Sequence, residues 1–201
     1  MRILVACEYS GTVRDAFLKR GHYAMSCDLL PCESQASGDH YQGNVLDILN
    51  HNWDLMIAHP PCTYLCSSGL HWNNKRPGRA ALTLEALDFV RLLLAAPIPR
   101  IALENPIGCI STQIRPYDQT VQPYQYGHDA SKTTCLWLKN LPPLRPTQFI
   151  EPRIVNGKRR WANQCDNGGQ DKLPPSADRW KIRSLTYQGI ADAMADQWGN
   201  L

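Results

Sequence analysis

Short apolar runs alternate along the chain with stretches of helical periodicity. Arg2–Ala6 (RILVA) is an apolar run of strand length and leads into a Ser10-Gly11 turn. Val13, Ala16, Phe17 and Arg20 then recur at helical spacing, and Gly21 stands where a C-cap glycine ends a helix. Residues 23–27 predict a second strand that ends at Asp28. Residues 53–58 (WDLMIA) predict a third, broken off by His59-Pro60-Pro61-Cys62 because proline cannot donate to a ladder. Between 79 and 96 the leucines and Val90 mark a long amphipathic helix, closed by Pro97 and Pro99. An apolar strand at 101–103 runs into Glu104-Asn105-Pro106, and a further strand is expected at 134–138. The last periodic stretch, 189–198, sets Ile190, Ala193, Met194 and Gln197 on one face, which is expected to pack back on the sheet.

Strand, helix and strand in this repetition argue for an α/β fold, with a mostly parallel, Rossmann-like sheet and helices on both faces. The texture changes after Cys109, and 140–183 reads as irregular, rich in prolines and basic residues. Three regions follow: a core at 1–130, a short insert at 131–185, and a C-terminal helix at 186–201 that returns to the core. The length of 201 residues fits one domain, and no apolar run approaches the roughly 20 residues of a membrane span. The N-terminus has neither the basic flank nor the apolar stretch of a signal peptide, so the expected location is cytoplasmic, without membrane contact.

Charge sharpens this division. Residues 1–130 carry ten Lys/Arg against twelve Asp/Glu, whereas 131–185 carry eleven against four. A polyanionic partner would therefore meet the insert, although a solvated surface explains a charge cluster equally well. The eight cysteines include no Cys-x-x-Cys pair, which argues against a zinc site. No metal is expected, and without a secretory signal neither is a disulfide framework.

Ligands of an open parallel sheet bind beyond the carboxyl ends of its strands. That rule selects Cys7–Gly11, Asp28, residues 59–66 and Glu104-Asn105-Pro106. A carboxylate after the second strand, Asp28, suits a ribose. The first turn, Glu8-Tyr9-Ser10-Gly11, lacks the Gly-x-Gly-x-x-Gly that admits a pyrophosphate, which favours a cofactor without phosphates such as S-adenosylmethionine. Two prolines hold Cys62 rigidly at the rim, where a thiolate activated by positive or dipolar surroundings attacks carbon. Glu104, partly desolvated at a strand end, is expected to have a raised pKa and to hold a proton near neutrality. By position alone Asp28 is equally a turn aspartate, Cys62 an inert thiol and Glu104 a capping or ion-paired carboxylate.

The order and spacing of these residues resemble the DNA (cytosine-5) methyltransferases, in a shortened form such as occurs among phage and prophage proteins. The resemblance covers residues 1–110 and the last helix. It implies the Rossmann-like S-adenosylmethionine-dependent methyltransferase fold, with Pro61-Cys62 as the nucleophile motif and Glu104-Asn105 as the acid motif. It further implies cofactor contacts from Cys7, Glu8, Tyr9, Ser10, Gly11, Asp28, Asn44 (within Gly43-Asn44-Val45) and Gly189, and substrate contacts from Pro61, Asn105 and Pro106. The implied reaction places a methyl group on carbon 5 of a cytosine flipped out of DNA, through a covalent Cys62 adduct assisted by Glu104, in a bacterial or phage-infected cytoplasm. No obligatory protein partner is evident.

The departures are specific. The first motif is poor in glycine, Asn44 stands for an Asp, and Pro106 follows Glu-Asn. The family's Gln-Arg-Arg motif has only Arg115 and the 122–125 stretch as candidates. In place of a large target-recognition domain there is only 131–185, where Lys158, Arg159, Arg160, Arg179 and Lys181 flank Trp161 and Trp180 as candidate DNA contacts. Those tryptophans are equally a small-domain core. Two other readings stay open: a pyrimidine modifier acting on a free nucleotide or RNA, and a catalytically silent DNA-binding module.

Overall fold

The apolar runs form the centre of a seven-stranded sheet. The computed structural model describes residues 1–165, 168–169, 176 and 179–201. In chain order the elements are β1 (Arg2–Ala6), α1 (Thr12–Leu18), β2 (Tyr23–Asp28), β3 (Asp39–Gln42), β4 (Leu55–Ala58), α2 (Ser67–Leu70), α3 (Arg79–Leu94), β5 (Arg100–Pro106), α4 (Ile110–Gln113), β6 (Gln119–Val121) and β7 (Thr134–Lys139). A short tract follows with β8 (Arg153–Val155), β9 (Lys158–Arg160), β10 (Gln164–Cys165), β11 (Gly168–Gly169) and α5 (Arg179–Ser184), before α6 (Gln188–Trp198). The order across the sheet is β3-β2-β1-β4-β5-β7-β6. The first five strands are parallel, and β7 runs antiparallel between β5 and β6.

Helices cover both faces, so the central strands are buried on both sides and their side chains alternate between two cores. Leu4, Met56, Ile101, Leu103 and Trp137 meet Leu87, Val90 and Leu93 of α3 on one face. On the other, Ile3, Val5, Leu55, Ile57 and Leu136 meet Val13 and Phe17 of α1 and Ile190, Met194 and Trp198 of α6. The final helix thus packs back as its periodicity predicts. Each fully buried large side chain contributes on the order of 2 kcal/mol, which outweighs the weak intrinsic helicity of so short an element.

Three sequence expectations change. Trp53 lies outside β4 and is buried, its indole N–H donating to the Ile48 carbonyl at 2.7 Å. The strand expected at 134–138 belongs to the main sheet, so the region outside the sheet starts after Lys139. The tract read as irregular contains two short antiparallel pairs and helix α5.

Candidate active site

Strand order proceeds outward from β1 through β2 to β3, and in the opposite direction from β4 to β5, so the chain reverses between β1 and β4. A crevice opens at the carboxyl ends at such a point. Cys7 follows β1 there and His59-Pro60-Pro61-Cys62 follows β4, with the His59 amide donating to the Ala6 carbonyl at 2.9 Å. Two cavities flank this junction, one of about 440 Å³ and one of about 110 Å³. Cys7, Pro60 and Pro61 line both and form their common wall.

The larger cavity has the size of a small-molecule site. Asp28 stands at its edge, its Oδ1 accepting the Leu30 amide at 3.0 Å, and Val45, Tyr64, Leu82 and Phe89 supply apolar walls. Asp28 and Glu85 are its charged lining residues, with no cation among the described residues that line it, so phosphates would be repelled. Asn44 also lines it, but its Oδ1 accepts the Leu46 amide at 3.1 Å. The amide oxygen of this expected cofactor contact therefore caps the turn at residues 45–47.

The first-turn residues divide differently from expectation. Glu8, Tyr9 and Ser10 line the smaller cavity, and Gly11 lines neither. Glu8 is 4% exposed and accepts the Val13 and Arg14 amides at 2.7 and 3.2 Å, which caps the start of α1 with a carboxylate. Gly11 has φ 74, and a Cβ there would fall 2.6 Å from Cβ of Ser34. Gly189 also lies away from both cavities: its amide donates to His128 Nε2 at 2.9 Å, and a Cβ would come within 1.9 Å of the Tyr126 carbonyl oxygen. Its role here is close packing of α6. Cys7 sits at φ 58, and burial, with Asp28 and Cys27 adding to it, pushes its thiol up to about 12.

The smaller cavity brings together Cys62, Glu104, Asn105 and Pro106, with His59, Lys132 and residues 183–186. Cys62 is exposed and starts a turn in which the Leu65 and Cys66 amides donate to its carbonyl, both at 3.0 Å. Loop 62–67 is then fastened to the segment after β5. Cys109 N–H donates to Leu65 O and Ser67 N–H to Ile107 O, both at 2.9 Å, and Gly108 packs so closely that a Cβ would lie 2.0 Å from the Leu65 carbonyl oxygen. Asn105 Nδ2 donates to the Pro60 carbonyl at 2.7 Å, so this amide positions the proline loop and not the neighbouring carboxyl.

Two electrostatic expectations are overturned. Burial raises the pKa of Glu104, but His59, whose Nδ1 lies 3.1 Å from Oε2, outweighs it together with Lys132 and Thr134, and the carboxyl ends below its ordinary value. Cys62 is not activated. Desolvation raises its thiol pKa, Cys66 and Glu104 add to the rise, and Lys132 offsets only part. Alkylation of Cys62 by iodoacetamide, followed by peptide mass spectrometry, is accordingly expected to be slower at pH 7 than that of an unperturbed thiol. It should accelerate about tenfold per pH unit until beyond pH 9. A Cys62 reaction already at its plateau by pH 7 would contradict this.

The basic tract is partly spoken for. Lys181 forms an ion pair with Glu33 at 2.9 Å, and Trp161 is buried, stacked on Tyr124 at 4.3 Å between ring centres. Trp161 therefore packs as core, the second of its two expected roles. The side chains of Arg179 and Trp180 lie outside the described residues. Arg115 pairs with Asp118 at 2.8 Å and donates to Leu138 O, while Gln122 bonds the Lys132 amide and Thr133, so these motif candidates serve the sheet edge. Lys158, Arg159 and Arg160 form β9 of a hairpin turned by Asn156 and Gly157, both at positive φ as a two-residue turn requires. Arg153 faces Arg160 directly across this ribbon. His59, Lys132 and Arg183 are the basic residues lining the smaller cavity, and sequence reasoning gave them no role. His59 had a signal in the His-Pro-Pro-Cys run, whereas Lys132 and Arg183 arrive only through the fold.

Among solved structures the chain is similar to a protein described as a DNA modification methyltransferase encoded within a prophage (E. coli), with 15% identity and a TM-score of 0.48 over 77% of this chain and 53% of that one. It is also similar to the 16S rRNA methylase RmtB, with 13% identity and a TM-score of 0.35 over 69% of this chain and 55% of that one. For WbdD the figures are 10% and 0.42, over 80% of this chain and 38% of that one. The chain thus spans about half the length of these proteins or less. No protein-family model and no curated protein sequence matches it.

Proposed function

We propose that the chain is an S-adenosylmethionine-dependent methyltransferase that modifies carbon 5 of cytosine in DNA. The observation that carries this reading is the joint placement of Cys62 and Glu104 in one cavity, separated from a phosphate-repelling, apolar cavity only by Cys7, Pro60 and Pro61. The larger cavity fits a nucleoside without phosphates: Asp28 would hold the ribose hydroxyls, and Val45, Leu82 and Phe89 would enclose the base. When bound, the cofactor supplies the sulfonium methyl group that carbon 5 takes up.

The remaining chemistry belongs to the chain. Carbon 5 of cytosine is too weak a nucleophile by itself. The Cys62 thiol, whose pKa is raised, first loses its proton to solvent and then adds as the thiolate to carbon 6; the electron pair of the 5,6 double bond shifts between carbons 4 and 5, and nitrogen 3 takes a proton through Glu104. Carbon 5 becomes nucleophilic in that adduct. After methylation that carbon loses its proton to solvent water, and expulsion of the thiolate restores the ring. Pro61 holds the thiol beneath the base, and Asn105 fixes the loop through the Pro60 carbonyl. A base within a duplex must be flipped out to reach this small cavity.

The deciding experiment offers labelled S-adenosylmethionine with duplex DNA, RNA and deoxycytidylate, followed by digestion and identification of the methylated base. Methylation of cytosine in DNA at carbon 5 is expected. Transfer confined to RNA or the nucleotide would move the activity to another pyrimidine substrate, and cofactor binding without any transfer would leave a silent module. For DNA, the β8–β9 ribbon is the phosphate clamp, since it sets Arg153, Lys158 and Arg159 exposed on one hairpin. Lys158→Ala with Arg159→Ala should weaken binding to DNA of any sequence and reduce the salt slope of log Kd by about 2, roughly one for each phosphate-binding charge removed. An unchanged slope in a filter-binding titration would remove the ribbon from the interface.

A further inference from the structure

We propose that His59 is a positioning residue that shares a single proton with Glu104, so that the two side chains together form the proton store for the pyrimidine. This rests on the cytosine reading above and deepens it. The geometry is specific. His59 Nδ1 lies 3.1 Å from Glu104 Oε2, both residues line the Cys62 cavity, and the other ring nitrogen, Nε2, is buried without a hydrogen-bond partner among the described residues. The imidazole therefore has one bonded neighbour among them, the carboxyl group that the chemistry needs.

The charges around the ring support a shared proton. Glu104 faces it from β5, Glu8 from the loop after β1, and Lys132 from the segment before β7. Burial by itself would discharge the imidazole, yet its bond to Glu104 and the fields of Glu104 and Glu8 outweigh that effect and the opposing Lys132, leaving its pKa above the ordinary value. Glu104 is correspondingly held below its own. Below the raised pKa of His59 the pair is imidazolium beside carboxylate, and in that form it resolves a difficulty in the mechanism, since an ionised Glu104 alone has no proton to give.

In the addition step the sulfur lone pair of Cys62 forms the bond to carbon 6, the 5,6 π pair shifts to the 4,5 bond, and the 3,4 π pair moves onto nitrogen 3. Nitrogen 3 takes one proton from the pair, which passes from no net charge to one negative charge as His59 becomes neutral beside ionised Glu104. The carbon 5 proton then passes to solvent water as the thiolate is expelled, and nitrogen 3 returns its own proton to the pair. Apart from the methyl donor and water, no other reactant is needed.

Two measurements test this. In ¹⁵N-histidine NMR, with His59 assigned by its loss in His59→Asn, the wild-type ring should stay charged to a pH above the ordinary value of 6.5, and Glu104→Gln should bring its titration below that value. A ring that is neutral at pH 6 in the wild type, or that titrates identically in Glu104→Gln, overturns the proposal. This arm needs no turnover, so it decides the matter even if no nucleic acid is methylated and the cytosine reading fails. The second arm is a pH–rate profile of His59→Asn, whose amide retains a donor near the carboxylate but holds no exchangeable charge. The ionisation seen in the histidine range should move toward the carboxyl range, and kcat at pH 7.5 should fall at least tenfold while KM for DNA stays within about twofold. Wild-type kcat and profile in a folded His59→Asn protein would reduce His59 to a hydrogen-bonding spacer and refute the shared proton.

Discussion

Cys62→Ala is expected to lose methyl transfer by on the order of 10⁴-fold or more while cofactor affinity and Tm stay near wild-type values. The location of the side chain dictates this. Cys62 lines the smaller cavity and not the larger one, is exposed, and buries little that the fold depends on. On the proposed mechanism its deletion would remove the atom that makes carbon 5 nucleophilic and nothing that lines the larger cavity. The companion observation is covalent. On DNA containing 5-fluorocytosine the wild type should accumulate an adduct that survives denaturing electrophoresis, because fluorine cannot leave as a cation, and Cys62→Ala should give none. An adduct that persists in the alanine variant would assign the nucleophile to another cysteine, with Cys7 next in line on the shared wall. Retained transfer without any adduct would remove covalent catalysis altogether.

The second large effect is expected at a residue with no reactive group. Gly108→Ala should lower kcat by about 10²-fold or more, because a Cβ at that position would sit 2.0 Å from the Leu65 carbonyl oxygen and the loop carrying Cys62 must move to admit it. The neighbouring bonds from Cys109 to Leu65 and from Ser67 to Ile107 resist the shift, so part of the strain of roughly 1–3 kcal/mol should also appear as a lower Tm. Cofactor affinity should change little, since none of these atoms lines the larger cavity. Calorimetric titration with S-adenosylmethionine beside a transfer assay separates the two effects. Equal loss of binding and turnover would mean that the substitution damages the sheet and not the loop.

Much of the sheet is legible in the sequence for a physical reason. β1, β4 and β5 are buried on both faces and so read as continuous apolar runs, and α3 and α6 each bury one stripe, so they read with helical period. β3, whose sequence is Asp-His-Tyr-Gln, sits at the sheet edge with neither face buried, and it carries no such signal. The antiparallel direction of β7 is also silent in the sequence, because period and apolarity are the same in either direction. At the site, the stretches containing Cys62, Glu104 and Asp28 are readable as polar residues at the end of apolar runs, although Asp28 and Glu104 lie within β2 and β5 themselves. Their protonation is not. The Glu104 expectation considered burial alone, whereas the deciding group, His59, lies 45 residues earlier and meets it only through strand pairing. Lys132 and Arg183 are hidden for the same reason.

The shared wall of Cys7, Pro60 and Pro61 separates two cavities that differ greatly in how far the chain must travel to build them. Every lining residue of the larger cavity falls between 7 and 89, whereas the smaller one joins residue 7 to residues 183–186. Contacts of long sequence separation carry the greatest loop-closure cost and are slow to form. The acid and the thiol are therefore enclosed only in the most non-local step of assembly, when Lys132 donates to the Leu185 carbonyl and the Tyr9 hydroxyl meets that of Ser184. On the proposed function, a partly folded chain would have the walls of the larger cavity within reach but no closed smaller cavity around Cys62 and Glu104.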